Sequence, residues 1–151
     1  MSDVLIKEAG PEKLDGTQPL WEQLNRHHAA VSSHFGDYFE SFTFKQRKNK
    51  LEAKARLAKL RLFFAEVDGQ IAGQCIVSLT PQLLGEIDSI FVAKDHRGKQ
   101  IGDSLMRAAL DWFTVNGAKS QSVVVVHGNE SSHAFYARYG FLPRSTRLVQ
   151  T

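Results

Sequence analysis

The apolar residues at the start of the chain predict one strand and two helices. Residues 4–9 form a short apolar run that a Gly-Pro pair ends, which is typical of a strand. Thr17 can cap a helix whose apolar positions recur at helical spacing, and residues 32–36 break that pattern. A second helix is predicted over residues 44–59, with Leu51 on its inward face and its basic residues outward.

Strand-like runs and a long helix follow in the middle of the chain. An Asp-Gly pair separates the runs 62–67 and 71–77, and this dipeptide between apolar runs is a strong hairpin signal. A further run, residues 85–92, leads through a glycine-bearing turn into a helix over residues 101–115, which an Asn-Gly pair ends. The predicted inward face of this helix consists of Ile101, Leu105, Ala108 and Trp112.

The end of the chain predicts a buried strand and a short helix. Residues 122–126 are rich in valine without polar alternation, which is typical of a strand that is buried on both faces. Asn129 can cap a short helix that Gly140 ends. Closing strands are predicted at residues 141–142 and 146–149.

This order of elements predicts an α/β (α+β) domain. Its strands form a mixed sheet, antiparallel at first and partly parallel later, with helices on both faces. A length of 151 residues fits one domain, residues 1–151, with a sizeable core. We see neither a signal peptide nor an apolar run of membrane length, so we expect a cytoplasmic protein without a membrane partner. The single cysteine excludes an internal disulfide.

The net charge of +3 is unevenly distributed. Residues 45–61 contain eight Lys and Arg residues and one acid, Glu52. Such a segment is most simply a solvated helix face, and the lack of interleaved aromatic residues argues against a nucleic-acid partner. If the segment borders a substrate site, it repels polycations and attracts a substrate that carries a carboxylate or a phosphate.

The turn before the long helix has the features of an anion site. Glycines in a strand-to-helix turn align backbone N–H groups at a helix N-terminus, where phosphate is the commonest guest. Arg97 and Lys99 add positive charge at the same place. Alone, this signal is weak, because such a turn also occurs by chance. The stretch consists of Arg97, Gly98, Lys99, Gln100, Ile101 and Gly102.

Two carboxylates precede this turn on the same strand. Because strand side chains alternate with period two, Glu86 and Asp88 are predicted to share one face with Ile90 and Val92. One interpretation is that both acids only solubilise the exposed start of the strand. The other is that one of them is a general base, with a pKa that partial burial raises.

The short helix near the end of the chain carries a tyrosine with two interpretations. Tyr136 follows Asn129 by seven residues, and Gly140 and Phe141 come at the end of the helix. Composition alone favours a core aromatic. A phenol with a pKa of about 10 is, however, also a suitable proton donor to a departing thiolate of similar basicity.

In this order and spacing, the motifs resemble those of the GCN5-related N-acetyltransferase (GNAT) family, from about Val4 to Leu148. The family's signature, Arg/Gln-x-x-Gly-x-Gly/Ala after the fourth strand, corresponds to residues 97–102, with Gln100 in place of the usual glycine. A backbone N–H binds the phosphate, so glutamine fits there if its φ stays negative. The family's later element corresponds to Asn129, Tyr136, Gly140 and Phe141.

The resemblance implies that acetyl-CoA lies in a splay between the fourth and fifth strands of a mostly antiparallel sheet. Asp88 or Glu86 would deprotonate an acceptor amine, and alignment with the family favours Asp88 slightly. Tyr136 would protonate the leaving thiolate, and Asn129 would hold the start of its helix. The implied cofactor contacts are Ile90, Phe91, Val92, Arg97, Gly98, Lys99, Gln100, Ile101, Gly102, Asn129 and Tyr136.

The acceptor is less well defined. The resemblance places its contacts around the first helix, at Trp21, His28 and Phe35, although aromatic residues more often belong to a core. No histidine pair has metal-ligand spacing with supporting carboxylates, so we expect no metal. The implied reaction acetylates a primary amine of a small molecule or peptide. Alternatives are acetylation of a protein N-terminus or lysine, and an acyl-CoA-binding regulatory domain without turnover. The late strands would also allow a homodimer.

Overall fold

The computed structural model describes residues 3–151 and places five strands and five α-helices there. The strands are β1 (Val4–Ala9), β2 (Lys59–Val67), β3 (Gln70–Leu79), β4 (Leu84–Val92) and β5 (Ser120–Val123). The helices are α1 (Gln18–Val31), α2 (Gly36–Ser41), α3 (Phe44–Ala55), α4 (Ile101–Val115) and α5 (His133–Ala137). Short 3-10 helices cover Pro11–Thr17, Lys94–His96 and Glu130–Ser132. Within residues 3–151, no helix combines the length and apolar character that crossing a bilayer requires.

The strands form one mixed sheet in the order in which they occur in the chain. The pairs β1–β2, β2–β3 and β3–β4 are antiparallel, whereas β4 and β5 are parallel. A parallel pair needs a crossover connection, which α4 supplies. Between β2 and β3, Asp68 and Gly69 have φ values of 51° and 78°, as a two-residue type I′ turn requires. The predicted mixed sheet and hairpin are therefore confirmed.

Helices cover both faces of the sheet, as predicted. On one face, buried Leu105 of α4 belongs to the same core cluster as Cys75 and Ile87 of the sheet. On the other face, Leu51 of α3 belongs to a second cluster with Ile76. Neighbouring residues of β3 therefore point to opposite helices, as strand geometry requires.

A β-bulge interrupts β4 halfway along its length. Ile76 of β3 pairs with Ser89 of β4, whereas the next residue of β3, Val77, pairs with Ile87. Asp88 is therefore an extra residue that no residue of β3 opposes. Such a bulge bends the strand and shifts the alternation of its side chains by one residue.

The bulge corrects the predicted shared face of Glu86, Asp88, Ile90 and Val92. Glu86 and Asp88 point towards α3, where both bind Lys54. Ile90 and Val92 pack instead into the core cluster of α4. The predicted single face is wrong because simple alternation does not include the extra residue.

Helix α4 has the predicted bounds, but the centre of its buried face differs from the prediction. Ala109 and Phe113 are buried, whereas Ala108 and Trp112 are only partly buried at the edge of the same cluster. The apolar face of a helix is wide, so apolar spacing alone does not determine the centre of the buried face to within one residue.

In the first half of the chain, two helices differ from the prediction. α3 ends at Ala55 instead of residue 59, because Lys59 already pairs with Leu79 in the sheet. The short helix α2, at Gly36–Ser41, was not predicted and has no buried residue among those described. It lies too close to a predicted break for helical spacing to be recognised.

The end of the chain departs most from the prediction. β5 ends at Val123, and the next residue, Val124, has 80% of its surface exposed, so the strand is not buried on both faces. In the described part of the chain, residues 141–142 and 146–149 form no strand, and Leu148 is 91% exposed. Valine-rich sequences form strands only where a neighbour supplies backbone partners, and the pairing with β4 stops at Val123.

Close packing between β4 and α4 gives a direct test of the fold. A Cβ added at Gly85 would lie 2.7 Å from the ring of Phe113 and 3.1 Å from the carbonyl oxygen of Ser120. We expect Gly85→Ala to lower the free energy of unfolding in urea by about 1–3 kcal/mol, the usual cost of overpacking. Combining it with Phe113→Leu should cost less than the sum of the two single changes. Strictly additive losses would contradict the direct contact.

Candidate active site

β4 and β5 separate halfway along β4. Their pairing ends with Ile87 opposite Val123, and β4 continues through residues 88–92. One edge of this segment still pairs with β3, whereas the other edge faces the gap. Alternate backbone N–H and C=O groups on that edge have no strand partner among the described residues. The splay expected between the fourth and fifth strands is confirmed, and it leaves backbone groups for a ligand to bind.

The turn after β4 brings the N-terminus of α4 to the same end of the sheet. Gly98 has a φ of 82°, and α4 begins three residues later at Ile101. The first N–H groups of an α-helix have no partner within the helix, and the helix dipole favours an anion there. The Arg97 guanidinium lies 5.6 Å from the ring centroid of Phe91, and its Nε donates to the carbonyl oxygen of Val92 at 3.4 Å. Positive charge is therefore held where β4 and the turn meet.

Gln100 differs from the prediction made for it. Its φ is 59° and its ψ is 22°, so it adopts the left-handed conformation and not a negative φ. This conformation costs a residue with a side chain about 1–2 kcal/mol, whereas glycine adopts it freely. Its carbonyl oxygen accepts hydrogen bonds from the N–H and Oγ of Ser104 at 3.1 and 3.2 Å. The turn therefore needs a positive φ at the position where the GNAT signature has glycine.

The carboxylate of Asp88 is buried at the bulge, beside the gap. Its side chain is only 5% exposed. Ser78 donates from Oγ to Oδ2 at 2.6 Å, and Lys54 of α3 donates to Oδ1. Burial raises the pKa of Asp88, and the hydrogen bonds from Lys54 and Ser78 partly offset this effect. A carboxylate with a raised pKa is a stronger base than an ordinary exposed one.

Lys54 links the two carboxylates of β4. Its Nζ donates to Oε1 of Glu86 at 3.0 Å as well as to Asp88. Burial lowers the pKa of Lys54, but its bonds to both carboxylates outweigh burial and raise the pKa overall. Lys54 is therefore charged at neutral pH. Glu86 lies opposite Ser122 in the paired part of β4 and β5, whereas Asp88 lies where the gap begins.

Sequence reasoning missed Arg47 and Lys54 as site residues, because the basic side chains of α3 were expected to point outward. Nη2 of Arg47 donates to the backbone carbonyl oxygen of Asp88 at 2.9 Å. Arg47 and Lys54 are seven residues apart, with buried Leu51 between them. Such spacing places all three on one helix face, so the sequence did contain the signal. Nothing comparable in the sequence identifies Ser78.

Tyr136 of α5 lies against the core cluster that α4 forms with the sheet. Burial raises its pKa to about 12, and its interaction with Cys75 adds to the rise. The phenol is therefore protonated at neutral pH, as a proton donor must be. Burial raises the pKa of the Cys75 thiol in the same region. A thiolate formed beside Tyr136 would be strongly basic for the same reason, which favours its protonation.

Asn129 joins the segment after β5 to the end of α1. Its Oδ1 lies 2.9 Å from Nε2 of His27. A Cβ on the neighbouring Gly128 would lie 2.2 Å from the carbonyl oxygen of Val31, so the two backbones are in close contact. Within the described chain, the Asn129 side chain makes no cap bond to the helix that follows. The predicted capping role is wrong, because His27 takes the side-chain oxygen.

The three residues predicted to contact an acceptor lie in different surroundings. Trp21 is buried and packs against other aromatic rings as a core residue. Phe35 is half-buried at the start of α2. His28 is half-buried near Arg47, and burial first, then the neighbouring charges, lowers its pKa to about 4. Of the three, His28 is therefore the one with an electrostatic link to the Asp88 region.

Comparison with known proteins identifies the family. The sequence model of the acetyltransferase (GNAT) family matches residues 21–141. The chain therefore belongs to the GNAT family. The matched range includes β4, the turn at the start of α4 and Tyr136.

Two relatives from Bacillus subtilis share part of the sequence. The uncharacterized N-acetyltransferase YobR is 26% identical over 106 residues, which cover 70% of this chain and 43% of YobR. A protein named as a candidate alanine N-acetyltransferase of ribosomal protein bS18 is 27% identical over 82 residues, 54% of each chain. The chain thus spans about half the length of these curated relatives.

A solved structure shows the same fold. The PaiA N-acetyltransferase of Thermoplasma acidophilum, in complex with coenzyme A, is 18% identical and has a TM-score of 0.74. The match covers 96% of this chain and 93% of that protein.

The conformation of Gln100 leads to a prediction. Gln100→Gly removes about 1–2 kcal/mol of backbone strain and adds about 0.5–1 kcal/mol of unfolded-state entropy. We therefore expect the free energy of unfolding in urea to rise slightly or stay the same. Gln100→Val should lower the free energy of unfolding by about 1 kcal/mol or more, because a β-branched residue fits this conformation poorly. A clear loss of stability in the glycine variant would show that the glutamine side chain stabilises the turn.

Proposed function

We propose that this chain transfers the acetyl group of acetyl-CoA to a primary amine of a small molecule or peptide. The observation that carries the proposal is the buried carboxylate of Asp88 at the point where β4 loses its pairing with β5. A base at this place can take a proton from an amine that attacks a thioester held in the gap. Membership of the GNAT family supports acetyl-CoA as the donor.

The last residues of β4 and the start of α4 supply groups that suit acetyl-CoA. We assign its pyrophosphate to backbone N–H groups within residues 97–102, where the dipole of α4 and the Arg97 and Lys99 side chains favour negative charge. We assign the amides of its pantetheine arm to the free backbone edge at residues 90–92, in the manner of an added strand. The coenzyme A complex of the PaiA structure supports this choice of ligand.

Deprotonation of the acceptor is the role that we propose for Asp88. A primary amine is mostly ammonium at neutral pH and cannot attack until it loses a proton. Asp88 would accept that proton directly or through water, while Ser78 and Lys54 hold its two oxygens in place. Glu86 shares Lys54 with Asp88 and remains the alternative base.

The remaining steps of the proposed reaction use the backbone of β4 and Tyr136. The amine nitrogen forms a bond to the thioester carbonyl carbon, and the carbonyl oxygen becomes an oxyanion. A backbone N–H of Phe91 or Val92 would stabilise that oxyanion by a few kcal/mol or so. The C–S bond then breaks, and the departing thiolate takes the phenolic proton of Tyr136. The nitrogen loses its second proton to solvent, and solvent returns a proton to the tyrosinate. The products are an N-acetylated amine and coenzyme A.

Release of free thiol from acetyl-CoA, measured across a panel of amines, tests this function. Acceleration by an amine supports transfer, and acceleration only by a protein N-terminus or lysine favours the protein-acetylating alternative. If acetyl-CoA raises the melting temperature while no amine accelerates thiol release, the chain is an acyl-CoA-binding domain without turnover.

The absence of a metal and the formation of a homodimer remain predictions.

Replacement of Tyr136 tests the proposed acid. We expect Tyr136→Phe to lower kcat by about 100- to 10,000-fold, the usual contribution of a positioned proton donor. The rise in melting temperature with acetyl-CoA should persist. Tyr139→Phe is the matched control, because the Tyr139 hydroxyl donates to Asp103 of α4 and not to a group of β4. Unaltered turnover of Tyr136→Phe would remove Tyr136 from the acid role.

The pH dependence of kcat/KM distinguishes Asp88 from Glu86. Ser78 donates a hydrogen bond to Asp88 that lowers the pKa of its carboxylate. Because Ser78→Ala removes this bond, it should raise that pKa and move the acidic limb of the profile to higher pH. Asp88→Asn should abolish the limb. An acidic limb that does not move in Ser78→Ala would contradict the assignment of Asp88 as the base.

A further inference from the structure

Arg47 reaches from α3 to the bulge of β4 with most of its hydrogen-bonding capacity unused. Its Nη2 donates to the backbone carbonyl oxygen of Asp88 at 2.9 Å, and this is the one hydrogen bond that the Arg47 side chain makes to residues 3–151. Its Nε is buried without a partner in the same part of the chain. A guanidinium has five N–H donors arranged as a fork that fits a carboxylate. The group is therefore placed to bind an anion that comes from outside the protein.

The charges around Arg47 leave this guanidinium without a direct counterion. Both carboxylates of β4, Glu86 and Asp88, are held by Lys54. Within residues 3–151, no carboxylate lies in ion-pair distance of Arg47. Burial of this charge is costly: it lowers the pKa of Arg47, and the more distant charges of Asp88 and Glu86 offset this effect only in part. Residues that carry such a cost are expected at sites of function.

His28 does not change this balance of charge. It lies near Arg47, but its pKa is lowered to about 4, first by burial and then by its interactions with His27 and Arg47. At neutral pH it is therefore uncharged. Arg47 is thus a cation that a substrate can meet at the start of the gap, next to the carboxylate of Asp88.

We propose that Arg47 binds a carboxylate of the acceptor, so that the substrate is an amine of the amino-acid type. This inference rests on the proposed acetyl transfer. Arg47 holds the backbone of the residue whose side chain we assign as the base, so a cation and an anion lie side by side. The ammonium and carboxylate of an amino acid form the complementary pair. A polyamine brings only positive charge and leaves the guanidinium unpaired.

Paired substrates test this inference. Each amino acid in a panel is compared with its carboxamide, which keeps the amine and lacks the carboxylate charge. We expect the wild-type chain to prefer the acid in kcat/KM by about 10- to 100-fold, as charge-assisted hydrogen bonds predict. Arg47→Met should remove this preference by lowering kcat/KM for the acid alone. Arg47→Lys, which keeps the charge without the fork, should retain part of the preference.

Lys48→Met is the matched control for charge. Lys48 lies next to Arg47 on α3, but its ammonium binds Asp15 at 2.7 Å, away from β4. This variant removes the same charge from the same helix and should leave the preference for the acid unchanged. The melting temperature of each variant, with and without acetyl-CoA, reports whether it is folded and binds the cofactor.

Three results would overturn the inference. One is an equal loss for acid and carboxamide in Arg47→Met, because Arg47 would then only hold the bulge of β4. The second is a wild-type preference for the carboxamide or for a diamine. The third is measured if no amine is acetylated and the proposed function has therefore failed. Calorimetric binding of the amino acid and its carboxamide to the coenzyme A complex then decides, and equal affinities would refute the role of Arg47.

Discussion

The structure depends on the point at which β4 stops pairing with β5. The pairing ends at Ile87 and Val123, and the bulge at Asp88 follows immediately. A bulge bends a strand, so the extra residue and the loss of pairing occur at one place. The same geometry frees the backbone edge of β4 and turns the side chain of Asp88 towards α3. The gap that suits a cofactor and the carboxylate that suits a base therefore have one structural origin.

Electrostatics makes this place different from the rest of the sheet. Burying a carboxylate is unfavourable unless other groups compensate its charge, and Ser78 and Lys54 provide that compensation for Asp88. Arg47 holds the backbone of the same residue through Nη2, and its Nε–H has no partner within residues 3–151. The helix that supplies both cations also packs Leu51 into the core, so the stability of α3 and the organisation of the site are coupled.

The sequence predicted the parts of this structure that depend on local patterns. The Asp-Gly hairpin, the bounds of α4 and the mixed sheet follow from turn chemistry and apolar spacing. The bulge at Asp88 does not, because alternation carries no mark of an extra residue. The inward positions of Arg47 and Lys54 were missed since basic residues usually face solvent, although their spacing around Leu51 pointed inward. The valine-rich segment after Val123 shows that strand propensity has no effect without a neighbouring strand.

The most direct test of this account is where acetyl-CoA binds. In an isotope-labelled sample of this 151-residue chain, the backbone amide resonances can be followed as acetyl-CoA is added. The account predicts large shifts at residues 88–92 and 97–102, on the free edge of β4 and at the start of α4, with β1 little affected. Shifts centred elsewhere, with these two segments unchanged, would contradict the assignment of the gap as the cofactor site.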